Sequence, residues 1–204
     1  NDKDRFHFTY PTAEWQALSQ SGVSAGYGAQ WVIIGTAPNR RVLTAYHEAG
    51  SPAATHNVTR GVEVMSVDGV SIATANTQST IDVLNEGLFP STTGQTHQFV
   101  LQDLNGSTRT VSLVSASITS NPVPTVSTVQ PLTGGNIGYI LFNDHIATSE
   151  ARLKDAVSQL DAAGITDLVL DVRYNGGGYL AIASELAYMI AGNTRTAGRT
   201  FEQL

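Results

Sequence analysis

The chain has 204 residues, a formal net charge of -6 and no cysteine. This charge offers no basic patch to neutralise phosphates, which excludes an ordinary nucleic-acid binder, and the missing cysteines exclude disulfides and thiol catalysis. Hydrophobic residues at 41% and charged residues at 14% describe a folded protein of one or two domains, and no apolar run approaches the roughly 20 residues of a membrane span.

Residues 1–22 are interpreted as an N-terminal connecting segment. Its first residues, Asn1–Asp4, are polar and have no signal-peptide character. Thr12–Leu18 has a short helical pattern, and Thr12 is the predicted N-cap because its hydroxyl can accept a backbone N–H.

Residues 23–118 have mostly β patterns. Asp68-Gly69 and Asn105-Gly106 each lie between strand-like runs, so both are predicted to close hairpins. A helix is predicted over Thr80–Leu88, because apolar residues recur on one of its faces. The other predicted elements are strands at 30–34, 41–46, 62–67, 70–72, 97–104 and 107–115 and a short helix that Pro52 opens.

Residues 119–135 are rich in Pro, Ser, Thr and Gly and are predicted to be a linker before a second domain at 136–204. The pattern of this domain is strand, helix, strand, glycine turn and helix, which indicates βαβ units on a mostly parallel sheet. The predicted strands are 137–142 and 168–172, the second buried on both faces, and the predicted helices are 148–163, capped by Gly164, and 180–190, ended by Gly192.

The glycine turn at Gly176–Gly178 is the chemically most informative feature of the chain. It would place unpaired N–H groups at a helix N-terminus, which suits a phosphate or the oxyanion of an acyl-transfer intermediate. No Walker lysine follows and the spacing is not GxGxxG, which weakens the phosphate interpretation. A third interpretation is a tight βα turn that uses glycine only for backbone freedom.

The sequence LVLDVRYNGGG at 168–178 resembles the D-L-R-x-N-x-G-G signature of the carboxyl-terminal processing (tail-specific) serine proteases, and residues 137–142 resemble the opening of their catalytic domain. The resemblance implies that Gly177 or Gly178 donates an oxyanion-hole N–H. It also implies a turn scaffold made by Asp171, Arg173 and Asn175. Gly176 stands where the family often has proline.

Residues 23–118 resemble a PDZ domain of the bacterial protease type. Gly26–Ala29 resembles the carboxylate-binding loop, and GSPAATHNVTRGVEVMSVDGVSI at 50–72 resembles the core signature, with Val62-Glu63 in place of Gly-Asp. The resemblance implies that a peptide C-terminus adds as a strand between residues 29–33 and the helix at 80–88. An alternative is a spacer or lid with an empty groove. The candidate peptide-binding residues are Gly26, Tyr27, Gly28, Ala29, Trp31, Ile81 and Leu84.

The implied fold class is a two-domain chain, mainly β and then α/β: a PDZ domain followed by the start of a ClpP/crotonase-like catalytic domain. The family uses a serine nucleophile and a lysine base, both from motifs downstream of the glycine turn. Neither Lys3 nor Lys154 is placed to act as that base, and Ser149 and Ser184 are interpreted as structural. The 204 residues are therefore expected to be an internal fragment that is inactive alone.

The remaining expectations concern cofactors, partners and location. The five histidines show no HxH or HExxH spacing, so no metal or other cofactor is expected. The resemblance implies protein or peptide substrates and a periplasmic, cell-envelope or secreted bacterial location, with a signal segment outside this chain. The alternative function is a non-catalytic PDZ peptide-binding protein with a degenerate protease half-domain.

Overall fold

The structure is a computed structural model, and it describes Thr9 and residues 11–203. The expectations for Lys3 and the start of the connecting segment lie outside the described residues. The chain divides into two compact units, one formed by Val23–Ser120 and the other by the residues up to Gly22 together with those from Asn121 onward.

The elements are numbered in chain order. The helices are α1 (Thr12–Gln16), α2 (Pro52–Thr55), α3 (Gln78–Leu88), α4 (Ser149–Ala162) and α5 (Leu180–Thr196), with a π-helical turn at Ala17–Ser21. The strands are β1 (Val23–Gly26), β2 (Ala29–Ile34), β3 (Arg41–His47), β4 (Glu63–Val67), β5 (Val70–Ser71), β6 (Thr96–Gln102), β7 (Thr108–Val114), β8 (Ala116–Thr119), β9 (Thr125–Val129), β10 (Asn136–Leu141) and β11 (Ile165–Asp171).

The unit Val23–Ser120 is a mainly antiparallel sheet with two helices. Its strands run in the order β2-β3-β4-β6-β7, β5 pairs with β4, and β1 and β8 form a separate two-stranded sheet. Asp68 and Gly69 both have positive φ (49° and 79°), the conformation that a two-residue hairpin turn requires. The second predicted hairpin also forms, with a longer loop that the Asp103 N–H closes on the Ser107 carbonyl.

Aromatic side chains form the centre of the core in this unit. The ring of Phe99 is fully buried, and Tyr27 meets it edge-on at a centroid distance of 5.4 Å. Trp31 stacks on the same ring at 6.1 Å, and its indole N–H donates to the Leu88 carbonyl at the end of α3 (3.1 Å). This bond ties β2 to α3 and satisfies a buried donor.

The second unit carries a three-stranded sheet in the order β11-β10-β9, with β10 parallel to β11 and antiparallel to β9. Strand β9 corrects the prediction for residues 119–135, because Thr125–Val129 pairs with β10 rather than serving only as a linker. The N-cap prediction for Thr12 is also wrong. Pro11 occupies the N-cap of α1, and no side chain caps it.

The prediction that residues 168–172 are buried on both faces is wrong as well. Leu168 and Leu170 pack against the core, but Val169 between them is 49% exposed. Strand β11 lies at the edge of the three described strands, and the core helices cover only the face that Leu168 and Leu170 share. A continuous apolar run therefore has a one-sided, alternating burial pattern.

In α4 and α5 the helical conformation is interrupted at the predicted glycines. Gly164 has φ of 64° directly after the C-cap of α4, as expected for a left-handed stop. Gly192 breaks α5 with φ of 74° and ψ of 163°, and a short helical turn follows. Within the described residues, no helix is both long and apolar enough to cross a membrane.

Candidate active site

The glycine turn connects β11 to α5, and the side chain of Asn175 fixes its shape. The Asn175 Nδ2 group donates to the Phe142 carbonyl (3.1 Å), which follows β10 directly, and its Oδ1 accepts the Gly177 N–H (2.8 Å). One amide therefore ties together the carboxyl ends of two parallel strands. This edge is where ligand sites form in α/β sheets.

Gly178 is a glycine for a steric reason. Its φ is +132°, and a Cβ there would lie 2.5 Å from the carbonyl oxygen of His145. The same carbonyl accepts the N–H of Tyr179 (2.8 Å), while the His145 N–H donates to the Gly177 carbonyl (3.1 Å). The backbone around His145 thus holds the turn as a short parallel bridge.

The two glycines predicted as oxyanion donors differ in their hydrogen bonding. The N–H of Gly177 is already engaged by Asn175, so this structure does not leave it free for a substrate. In the described part of the chain, the N–H of Gly178 has no acceptor. Only Gly178 therefore retains the free donor that an oxyanion hole requires.

The carboxylate of Asp171 is the anchor of the strand before the turn. Its side chain is 8% exposed and accepts hydrogen bonds from the Arg173 side chain (2.7 and 2.9 Å), the Arg173 N–H (3.1 Å) and the Tyr139 hydroxyl (2.7 Å). The bonds from Arg173 and then Tyr139 lower the pKa of Asp171 to about 2. The bond to Asp171 in turn raises the pKa of Tyr139.

A cleft of about 490 Å³ opens beside the turn. One wall is Gly176–Tyr179, a second is Asp144–Ile146, and the third comes from Trp15, Leu18 and Ser19 of the N-terminal helical segment. The Ser19 carbonyl accepts the Ala147 N–H (2.8 Å), which fixes this segment beside the cleft. Burial raises the pKa of Asp144. This wall has no local signal in the sequence, because its packing partner is more than 120 residues away along the chain.

The two serines and the described lysine that the sequence offers near the turn do not form a nucleophile–base pair in this structure. The buried Ser149 hydroxyl donates to the Asp144 carbonyl (2.7 Å), and the Ser184 hydroxyl faces the Leu180 carbonyl of its own helix (3.4 Å). Lys154 is exposed and lies 3.9 Å from Glu150 on the same helix. Residues 9 and 11–203 also contain no cluster of three or more His, Cys, Asp or Glu that could hold a metal ion.

The predicted peptide-binding side chains fall into two groups. Tyr27, Trp31 and Leu84 belong to the core, with exposed fractions of 2%, 7% and 3%, and cannot line a groove with these side chains. Ile81 is half-buried. The large apolar residues that β2 exposes are instead Val32, Ile33 and Ile34, at 40 to 52%. The strand lies at the edge of its sheet, so one row of its backbone groups is unpaired.

The loop Gly26–Ala29 is held in place by hydrogen bonds that its backbone carbonyls accept, and two of its backbone N–H groups remain available as donors. The Tyr27 carbonyl accepts the Ala53 N–H (2.9 Å), and the Gly28 carbonyl accepts the Glu48 N–H (2.7 Å). Within the described chain, the N–H groups of Tyr27 and Gly28 have no acceptor. Gly28 has φ of 72°, and a Cβ there would overlap the side chain of Ser51.

Comparison with known proteins relates this part of the chain to one peptidase family. Residues 136–202 match the model of peptidase family S41. A carboxyl-terminal-processing protease of Picosynechococcus is 28% identical over 171 residues, which cover 83% of this chain and 39% of that protein. The chain thus spans well under half of this curated relative.

Two solved structures share the fold. The photosystem II D1 C-terminal processing protease is 24% identical with a TM-score of 0.55, and the match covers 90% of this chain and 49% of that one. A protein of Bacteroides fragilis assigned as an S41 protease is 22% identical with a TM-score of 0.53, with 86% and 50% covered. The chain is therefore similar to the carboxyl-terminal processing proteases over most of its length, and its residues 136–202 match the model of peptidase family S41.

Proposed function

We propose that this chain is part of a serine endopeptidase of the carboxyl-terminal processing type and that it supplies the oxyanion hole. The observation that carries the proposal is the free N–H of Gly178, held on a rigid turn beside a cleft of about 490 Å³. A preorganised backbone donor at such a position stabilises the negative charge that develops on a scissile carbonyl oxygen.

The serine nucleophile and lysine base are proposed to lie in sequence that follows Leu204. Two observations support this view. The candidate serines and Lys154 are committed to structural contacts, and this chain covers 39% of its curated relative. The described residues alone are then expected to be inactive, since a donor without a nucleophile cannot cleave a peptide bond.

The unit Val23–Ser120 is proposed to be a PDZ domain at 23–118 that recognises peptide C-termini or unfolded segments. Its support is the pair of free N–H groups at Tyr27 and Gly28, which suit a terminal carboxylate. The adjacent open edge of β2, with Val32 and Ile33 exposed, suits an added peptide strand. Residues 1–22 are proposed as an N-terminal connecting segment, and residues 136–204, together with strand β9, as a partial catalytic domain.

Peptide binding can be tested with one matched pair of ligands. An apolar decapeptide with a free C-terminal carboxylate is titrated into the chain and compared with the same peptide carrying a C-terminal amide. We expect the peptide with the free carboxylate to bind and to change the NMR chemical shifts of the Tyr27 and Gly28 amides. The amidated peptide should bind at least tenfold more weakly. Equal affinity for both peptides would contradict carboxylate recognition by this loop.

The alternative is a non-catalytic peptide-binding protein with a degenerate protease half-domain. The structural contacts of Ser149, Ser184 and Lys154 favour this alternative. The exposed apolar residues of β11 and α5, such as Val169 and Ile190, argue instead for further covering structure. The intact mass of the protein from its native cells separates the two. A mass well above 21.6 kDa supports the peptidase, and a mass of 21.6 kDa supports the alternative.

The proposed location is the periplasm, cell envelope or exterior of a bacterium, with protein substrates. Cell fractionation tests this: recovery of the protein with a cytoplasmic marker enzyme would contradict it.

A further inference from the structure

His145 contacts the glycine turn through its backbone and its side chain. Its N–H and carbonyl bind Gly177 and Tyr179, as described above. In addition, its Nδ1 lies 2.8 Å from Oδ1 of Asn175, the same oxygen that accepts the Gly177 N–H. The imidazole also packs on Phe142 with ring centroids 4.5 Å apart.

The hydrogen bonds of Asn175 determine which nitrogen of His145 carries a proton. The amide orientation is fixed at both ends, because Nδ2 faces a backbone carbonyl at Phe142 and Oδ1 faces a backbone N–H at Gly177. The atom that meets His145 Nδ1 is therefore an acceptor, and Nδ1 has to be the donor. His145 must carry a proton on Nδ1 whether the ring is neutral or charged.

We infer that His145 is a positioning residue for the candidate oxyanion hole, acting through Asn175 on the peptide groups of Gly177 and Gly178. Two donors on Asn175 Oδ1 hold the amide in one orientation, and that orientation keeps the Gly177 N–H turned inward. With the Gly177 peptide fixed, the Gly178 N–H remains the free donor beside the cleft. The hydrogen bonds from His145 to Asn175 and from Asn175 to Gly177 form a relay that does not depend on the proposed function. Only the catalytic effect of this relay rests on the proposed function.

The relay is tested first in the chain itself by NMR. Long-range ¹H–¹⁵N correlations of the imidazole in the wild-type chain should identify the Nδ1–H form of His145. A neutral Nε2–H form would overturn the inference, and this readout needs no variant that might fail to fold.

Two substitutions then isolate the contribution of the imidazole hydrogen bond, since neither removes the backbone hydrogen bonds of His145. His145→Leu keeps apolar bulk against Phe142 but has no donor, whereas His145→Asn places an amide N–H as many bonds from the backbone as Nδ1 is. We expect hydrogen exchange of the Gly177 amide to become roughly 3- to 10-fold faster in His145→Leu, the range of a net hydrogen-bond contribution, and to return towards wild type in His145→Asn. Unchanged exchange in His145→Leu would overturn the relay.

The catalytic consequence is measured in the natural full-length protein. We expect His145→Leu to lower kcat at least tenfold with KM changed less than twofold, and His145→Asn to recover most of the loss. Gln159→Ala, on the exposed side of α4, is the control and should behave as wild type. A change in KM alone, or no change, would overturn the positioning role. If the wild-type protein cleaves no peptide, the proposed function fails, while the tautomer and exchange results still decide the relay.

Discussion

The three consecutive glycines of the turn allow a graded test of its geometry. Gly176 has no left-handed φ and open space at its Cβ position. Gly177 has φ of +99° and open space, so alanine would add backbone strain of about 1–3 kcal/mol without a clash. At Gly178 alanine would add the same backbone strain and also a steric clash, because its Cβ would lie 2.5 Å from a backbone oxygen. Overpacking of this kind costs a further ~1–3 kcal/mol, since the oxygen belongs to a backbone that is hydrogen-bonded in place.

We therefore expect the free energy of unfolding to fall by about 2–6 kcal/mol in Gly178→Ala and by about 1–3 kcal/mol in Gly177→Ala. Gly176→Ala should be within roughly 0.5 kcal/mol of wild type or slightly more stable, because alanine restricts the unfolded chain. The order of the three variants follows from the turn geometry alone.

Urea unfolding followed by tryptophan fluorescence measures these differences. The two tryptophans lie in different units, so a Trp31→Phe background leaves Trp15, beside the cleft, as the reporter for the unit that contains the turn. All variants are compared in that background at one pH. Equal stability of Gly178→Ala and Gly176→Ala would refute the described contact between Gly178 and His145.

The remaining predictions concern Asp171 and Gly87. The pKa of Asp171 is about 2 in the folded protein, against roughly 3.9 in an unfolded chain. The hydrogen bonds of its carboxylate therefore stabilise the fold fully at a pH above the unfolded pKa, and this stabilisation is lost as the pH falls towards 2. Asp171→Asn should therefore be less stable at pH 7 and show a flatter pH dependence of unfolding between about 5 and 2; an unchanged pH dependence would contradict the assignment. A Cβ at Gly87 would overlap Cγ1 of Val67, so Gly87→Ala should destabilise the sheet unit by about 1–3 kcal/mol despite the better helix propensity of alanine. Asn85→Ala, one exposed position on the same helix, is the control, and a Gly87→Ala protein as stable as this control would contradict the packing.

Local signals in the sequence predicted most of the secondary structure. Asp68-Gly69 closes its hairpin because both residues accept positive φ, and Gly164 ends α4 for the same reason. The core helices follow from 3.6-residue periodicity. Each of these features depends on residues that are neighbours along the chain.

Features that depend on distant partners were not predicted. Strand β9 exists because β10 offers it an edge, and its Pro- and Ser-rich surroundings indicate only a linker. The burial of β11 depends on how many faces of the sheet are covered, which an apolar run cannot report. The wall made by Trp15 and Leu18 likewise has no local signature.

The candidate site was only partly predictable for the same reason. The motif at 171–178 located the turn, but which glycine N–H is free depends on the amide of Asn175 and on His145, 30 residues earlier. Trp31 was predicted to line the peptide groove because it follows the Gly26–Ala29 loop closely in the sequence. Side chains along β2 point to alternate faces of the sheet, however, and the ring of Trp31 lies on the core side.

The most direct test of the account is the cleavage rate of a peptide substrate by the natural full-length protein, compared with its Gly178→Ala and Gly176→Ala variants. We expect cleavage by the wild type and by Gly176→Ala. We also expect kcat to fall on the order of 10²–10³ in Gly178→Ala, the range for loss of one oxyanion donor, because alanine keeps the N–H but the clash of its Cβ with the His145 carbonyl displaces that N–H. Undiminished cleavage by a folded Gly178→Ala protein, or no cleavage by the wild type, would contradict it.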